Sequence, residues 1–201
     1  MVWGSAGYGE DAEALVRQYE ALSFEGVHAD VLHLVPRRRS LVLDVGAGSG
    51  RDAAALSRLG HTVVAVEPTL ELRARAERLH SGCYISWLDD ALPDLSALSS
   101  QESSFDLVLL SAVWMHLDGT ERPRAMQRIT SLLAPRGRVI MTLRHGPIPP
   151  NRRMFDVPLG ETIALAETTG LRVVHCSTAD DRLGRQDVQW DCLGLAVGPD
   201  V

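Results

Sequence analysis

Cysteine is scarce in this chain of 201 residues: there are three, Cys83, Cys176 and Cys192. The odd number and the absence of CxxC spacing argue against a disulfide framework and a cysteine zinc site, and they fit a reducing cytoplasm. Long apolar runs are also missing. Uninterrupted stretches such as residues 107–110 fall far short of the ~20 residues that span a bilayer, so no membrane partner is expected. Residues 1–13 hold no basic segment followed by an apolar one, so no secretory signal is expected. Positive charge is in deficit, with 20 Lys+Arg against 26 Asp+Glu and a net charge of -6. A nucleic-acid partner would call for a basic face, and Arg37-Arg38-Arg39 alone is meagre. What is present is ordinary: 45% hydrophobic and 23% charged residues describe a globular chain able to bury one core.

The opening residues, with Gly4, Gly7 and Gly9, read as loop. From Asp11 the pattern is helical, with Leu15, Tyr19 and Leu22 on one face, and a second helix carries Val27, Val31, Leu32 and Leu34 up to Pro36. Residues 1–39 thus form a helical cap or lid, and residues 40–201 one compact unit. Residues 41–45 are apolar except for Asp44 and end at Gly46, as a strand buried on both faces of a parallel sheet reads. Helices over 51–59, 70–79 and 122–133 alternate with strands at 61–66, 83–87, 105–110 and 138–143. That alternation implies right-handed βαβ units in a doubly wound α/β sheet. A helix over 161–169 precedes strands at 171–176 and 188–195, whose connection is too short for a crossover helix. The expectation is a mostly parallel seven-stranded sheet with a C-terminal antiparallel hairpin.

The segment Leu43-Asp44-Val45-Gly46-Ala47-Gly48-Ser49-Gly50 runs from strand through a glycine turn into a helix, whose first N–H groups are free to meet a ligand. Seventeen residues beyond Gly50, the next buried strand ends in Glu67, where a carboxylate can take the two hydroxyls of a ribose. A dinucleotide fingerprint needs its third glycine at position 51, and Arg51 stands there.

The G-x-G-x-G spacing behind Asp44, together with Glu67, resembles the class I S-adenosylmethionine-dependent methyltransferases, and the resemblance extends from about Leu41 to Leu195. It implies a Rossmann-like fold, S-adenosylmethionine as cofactor with S-adenosylhomocysteine as product, and transfer of a methyl group to oxygen, nitrogen or sulfur of a small-molecule acceptor by in-line displacement. It implies a cofactor site at Asp44, Gly46, Ala47, Gly48, Gly50, Glu67, Pro68 and Ser111. Trp87-Leu88-Asp89-Asp90-Ala91 looks like the family's acidic loop at the adenine, with Asp90 matching best and Asp89 second. Ala134-Pro135-Arg136-Gly137 resembles the family's turn into the fifth strand, with Arg136 departing from a usual glycine.

Methyl transfer to a protonated acceptor calls for a base. His116 follows the fourth strand and His145 the fifth, both at the edge where ligands bind in open α/β sheets; each also reads as a capping or packing histidine. His33, His61, His80 and His175 read as surface or packing residues, and His28 is open. Tyr19, Phe24 and Trp114 are candidates to wall the substrate pocket or to fill the core. Tyr8 is a candidate cofactor contact. Arg144, Arg152 and Arg153 are candidate substrate contacts, and Arg152 and Arg153 are candidates to bind a carboxylate or phosphate, against a solvated basic loop. No metal is expected, since the fourth strand ends in Ser111 and Ala112 rather than an acid. Alternative functions are a protein, peptide or RNA methyltransferase, an NAD-dependent oxidoreductase, and a non-catalytic cofactor-binding scaffold. The oxidoreductase is opposed by Arg51 and by the lack of a Tyr-x-x-x-Lys pair.

Overall fold

A strand buried on both faces needs backbone partners on both sides, and residues 41–45 find them. The computed structural model describes residues 7–198, so Gly4 lies outside the described residues, while Gly7 and Gly9 sit in a turn. The strands are β1 (Leu41–Val45), β2 (Thr62–Val66), β3 (Ile85–Leu88), β4 (Phe105–Leu110), β5 (Leu133–His145), β6 (Leu171–Asp180) and β7 (Gln189–Val197). They form one seven-stranded sheet in the order β3-β2-β1-β4-β5-β7-β6. The first five run parallel, and β7 is antiparallel to both β5 and β6. The helices are α1 (Ala12–Glu20), α2 (Phe24–Val27), α3 (Arg51–Arg58), α4 (Leu70–Leu79), α5 (Glu121–Leu132) and α6 (Leu159–Thr168). Among the described residues no helix is long and apolar enough to cross a membrane.

Three elements differ from expectation. The second N-terminal helix is a single α turn, α2, followed by a 3-10 segment, Ala29–Leu34. Ser23 caps it by accepting the Gly26 N–H at 3.0 Å, but Gly26 inside so short a turn weakens the helix. Strand β5 starts five residues early, at Leu133, because the expected turn is absorbed as a register shift between Phe105↔Leu133 and Leu107↔Arg138. Arg136 adopts the left-handed φ of 69° there. Strand β6 runs on to Asp180, which stays paired with Gln189.

Alternation of side chains across the strands divides the core. One face carries Leu43, Val45, Val108, Leu110, Met141 and Leu143 with residues of α5 and α6. The other carries Val42, Val63, Leu107, Leu109 and Ile140 against Phe24, Val31, Leu34, Ala53 and Leu56. The cap lies on this second face, and a buried polar junction pins it. His28 Nε2 meets Asp52 Oδ2 at 2.9 Å, and Arg51 grips the same carboxylate through Nε at 2.6 Å and Nη2 at 3.0 Å. Burial opposes the Asp52 charge, but His28 and Arg51 outweigh it and hold the carboxyl well below the usual carboxylate range. A second junction joins α1 to the turn before α3: Ser49 Oγ donates to Glu20 Oε1 at 2.7 Å.

Replacing His28 by Ala leaves the buried Asp52 with one partner fewer. We expect a loss of about 2–4 kcal/mol of stability in denaturant unfolding, with cleavage of residues 12–34 by a protease increased first. Arg37→Ala, on the exposed surface, should change stability by no more than ~0.5 kcal/mol.

Candidate active site

The same alternation places Asp44 on the cap face of β1, one position from the glycine turn. Around it, at the carboxyl ends of the parallel strands, lies a cavity of about 480 Å³ covered by Tyr8, Leu15 and Tyr19. Its floor includes Gly46, Ala47, Gly48, Glu67, Pro68 and Ser111. The turn demands glycine at Gly46, where φ is 66° and a Cβ would stand 2.6 Å from Val113 Cγ2. Gly50 lies behind the cavity wall at the start of α3; its φ is 82°, and a Cβ there would meet Trp87 at 2.8 Å.

Glu67 closes the loop. Its Oε2 accepts the Gly48 N–H at 2.9 Å and its Oε1 the Thr69 N–H at 2.8 Å. Burial pushes the carboxyl above its usual range, against the pull of these two donors. Asp44 is 1% exposed, and its Oδ2 has no partner among the described residues. Burial first, and then the charge of Asp52, raise its pKa well above that of an ordinary aspartate. An orphaned carboxylate oxygen on a cavity wall is a site for a donor or a cation.

Beyond Glu67, after β3, Asp90 and Ala91 also line the cavity. Asp90 Oδ1 accepts the Ala91 N–H at 2.8 Å and Oδ2 the Ala97 N–H at 2.7 Å. The Ala91 N–H is therefore turned to Asp90 itself. Asp89 lies outside the cavity, exposed and paired with Arg73 at 2.9 Å.

The two candidate bases part company. His116 lines the cavity in a 3-10 turn, Trp114–His116. Its Nδ1 lies 2.7 Å from the Arg153 carbonyl, which can only accept, so Nδ1 carries the proton. Nε2 then accepts from the Tyr8 hydroxyl at 3.1 Å. Burial lowers the His116 pKa below 6.5, and the charges of Arg152 and Arg153 add to this. His145 is separated from the cavity: β5 turns Thr142 and Arg144 toward it and Leu143 and His145 to the opposite face. There His145 Nε2 meets Asp191 Oδ2 at 2.8 Å.

The substrate candidates divide too. Tyr19 packs over the glycine turn, 3.6 Å from where a Cβ on Gly48 would be. Trp114 is fully buried in the core beneath the cavity, and Phe24 in the core on the cap face. Arg153 lines the cavity but is consumed by the protein: Nη1 donates to the His116 carbonyl at 2.6 Å and Glu121 Oε2 at 2.9 Å, and Nη2 to Asp118 at 2.8 Å. Arg152 pairs with Asp11 at 2.7 Å and stacks 4.2 Å over the Tyr8 ring. Arg144 stays without an acidic partner within 4.0 Å among the described residues, and it lines the cavity. Sequence reasoning missed two contributors. One is Tyr8 as the partner of His116, 108 residues away. The other is Thr142, whose Oγ1 accepts the Ala112 N–H at 2.8 Å and fixes the loop after β4.

The profile of a family described as a methyltransferase domain matches residues 43–141. The chain is 39% identical over 117 residues to protein-L-isoaspartate O-methyltransferase 2 of Rhodopseudomonas palustris, covering 57% of this chain and 48% of that protein. The chain spans about half the length of the curated relatives it matches. The magnesium protoporphyrin IX methyltransferase of Synechocystis PCC 6803, solved with S-adenosylmethionine, superposes with a TM-score of 0.67 at 17% identity, over 96% of this chain and 85% of that one. The 1,6-didemethyltoxoflavin-N1-methyltransferase of Burkholderia thailandensis, solved with S-adenosylhomocysteine, gives 0.65 at 22% identity, over 94% and 89%. With the glycine turn, Glu67 and the strand order in agreement, residues 43–141 are similar to a methyltransferase domain and the chain shares the fold of S-adenosylmethionine-dependent methyltransferases.

Proposed function

We propose that this protein binds S-adenosylmethionine and transfers its methyl group to a small-molecule acceptor. The observation that carries the reading is the buried carboxylate of Glu67 clasping the glycine turn beside the orphaned oxygen of Asp44. These residues fit the cofactor. Glu67 has lone pairs left for the ribose hydroxyls, and Asp44 suits the ammonium of the methionyl part. Asp90 stands at the adenine end, where its second lone pairs serve the amino group. The cavity volume, about 480 Å³, is that of a small-molecule site, for which ~300–1,000 Å³ is usual. A cofactor of this kind, present in the toxoflavin methyltransferase neighbour as S-adenosylhomocysteine, supports the same reading.

When bound, S-adenosylmethionine supplies a methyl group already activated on a sulfonium. The protein is left to hold the acceptor in line, exclude water and remove a proton. Neutral His116, held by the Arg153 carbonyl, is the base in this proposal. The acceptor's proton reaches Nε2 directly or through the Tyr8 hydroxyl that already bonds it. The cap, docked through His28 and Glu20, serves as the lid.

Two outcomes test this. Glu67→Gln keeps the size but loses the charge and sets an NH2 against the Gly48 or Thr69 N–H, and should weaken S-adenosylhomocysteine binding by about 1.5–3 kcal/mol, roughly 10–150-fold. Unchanged binding in calorimetry would refute the placement of the cofactor. For the base, with its pKa lowered from 6.5, the neutral form persists as pH falls through 6.5. The acidic limb of kcat/KM should therefore lie below pH 6.5. His116→Asn should lower kcat by about 10²–10⁴-fold and abolish that limb, whereas an unchanged profile would remove His116 from the chemistry.

A further inference from the structure

Arg144 is the least explained charge in the protein. It is 7% exposed, and its hydrogen bond among the described residues is one from Nη1 to the Gly146 carbonyl at 3.3 Å. A buried guanidinium without a counter-charge is costly, and of the two acids whose charge reaches it, Asp181 and Asp187, neither pairs with it within 4.0 Å. Asp181 is taken by Arg185, through Nε at 3.0 Å and Nη2 at 2.6 Å, and by the Trp190 indole N–H at 2.9 Å. Burial, and then the positive charge of Arg185, act against the Arg144 cation and lower its pKa from the ordinary arginine value. Its cross-strand partner on the cavity face is Trp190. The indole, Met115, Met154 and Leu183 line the same cavity and give it apolar wall beside the Asp181–Arg185 pair.

We propose that Arg144 anchors the acceptor: the site takes a small molecule with an apolar body and a carboxylate or phosphate group, which the unengaged N–H groups of Arg144 bind. This rests on the methyl-transfer reading for its word acceptor, but the anion site stands on its own geometry. The cofactor's own carboxylate is a poorer fit. That carboxylate lies beside the ammonium assigned to Asp44 on β1, and in the sheet β5 is two strands from β1, a span of roughly 10 Å at the usual strand spacing. Arg152 and Arg153, the neighbouring arginines of the β5–α6 connection, are already paired with Asp11, Asp118 and Glu121. Arg144 can form two parallel bonds to a carboxylate or phosphate, which a lysine cannot.

The test uses benzoate, phenyl phosphate and the neutral benzamide as probes, titrated calorimetrically with and without S-adenosylhomocysteine. Benzoate or phenyl phosphate should bind at one saturable site and benzamide should not; which anion binds identifies the group. Arg144→Met should weaken that anion by at least about tenfold, the scale of one charge-assisted pair, while S-adenosylhomocysteine affinity stays within about twofold of wild type. Arg144→Lys, which keeps the charge in the same place, should retain part of the affinity and serves if the methionine variant does not fold. Failure of both anions to bind, or equal binding to wild type and variant, overturns the proposal. So does a loss of S-adenosylhomocysteine binding in the variant as large as the loss of anion binding, since Arg144 would then hold the cofactor. Anion binding through Arg144 in a protein that does not bind S-adenosylhomocysteine would retain the subsite and reject methyl transfer.

Discussion

The site depends on one carboxylate. Glu67 sits where β2 ends, and its two oxygens bind the amide of Gly48 across the sheet and that of Thr69 just ahead in its own chain. The first contact ties the end of β2 to the turn after β1; the second sets the start of α4. The first depends on a turn that carries no side chain at Gly46, because Val113 fills the space a methyl group would need. Val113 belongs to the loop after β4, which Thr142 of β5 holds through the Ala112 amide. Four parallel strands are thus drawn to one point, and the cavity is the space they leave at their carboxyl ends. A charge kept in so buried a position is sustained by those two amides.

The cavity is electrically divided along the sheet. Asp44, Glu67 and Asp90 line the end near β1 and β2; Arg144 and the Asp181–Arg185 pair line the end near β5 and β7. A ligand bearing an ammonium group and sugar hydroxyls suits the first end, and an anion suits the second. The overall charge of the chain is silent on this separation, which arises only from strand order. His116 lies in the loop after β4, between the two ends. Its neutral state follows from burial and from the arginines beside it.

The features legible in the sequence were those whose partners are near in the chain. The strand, the glycine turn and Glu67 form one local pattern, and the alternation of strands and helices gave the sheet. The parity of β5 was hidden. Residues 139–143 are apolar except for Thr142, so the sequence puts Arg144 and His145 on opposite faces without showing which face meets the cavity, and both are expected at one edge. Trp114 has the composition of a pocket wall but is packed under α5 and α6. Arg153 looks available until Asp118 and Glu121, more than thirty residues earlier, are seen to enclose it. The Tyr8–His116 contact joins residues 108 apart and leaves no mark in either local sequence. Contacts like these are set by topology, so they become visible only when the chain is folded.

The central claim is that the turn held by Glu67 is built for an S-adenosyl ligand rather than a dinucleotide. Parallel calorimetric titrations of the protein with S-adenosylhomocysteine and with NAD test it most directly. Saturable binding of S-adenosylhomocysteine at about micromolar Kd, close to 8 kcal/mol, with no measurable heat from NAD, is the expected result. Tight NAD binding without a response to S-adenosylhomocysteine would contradict it.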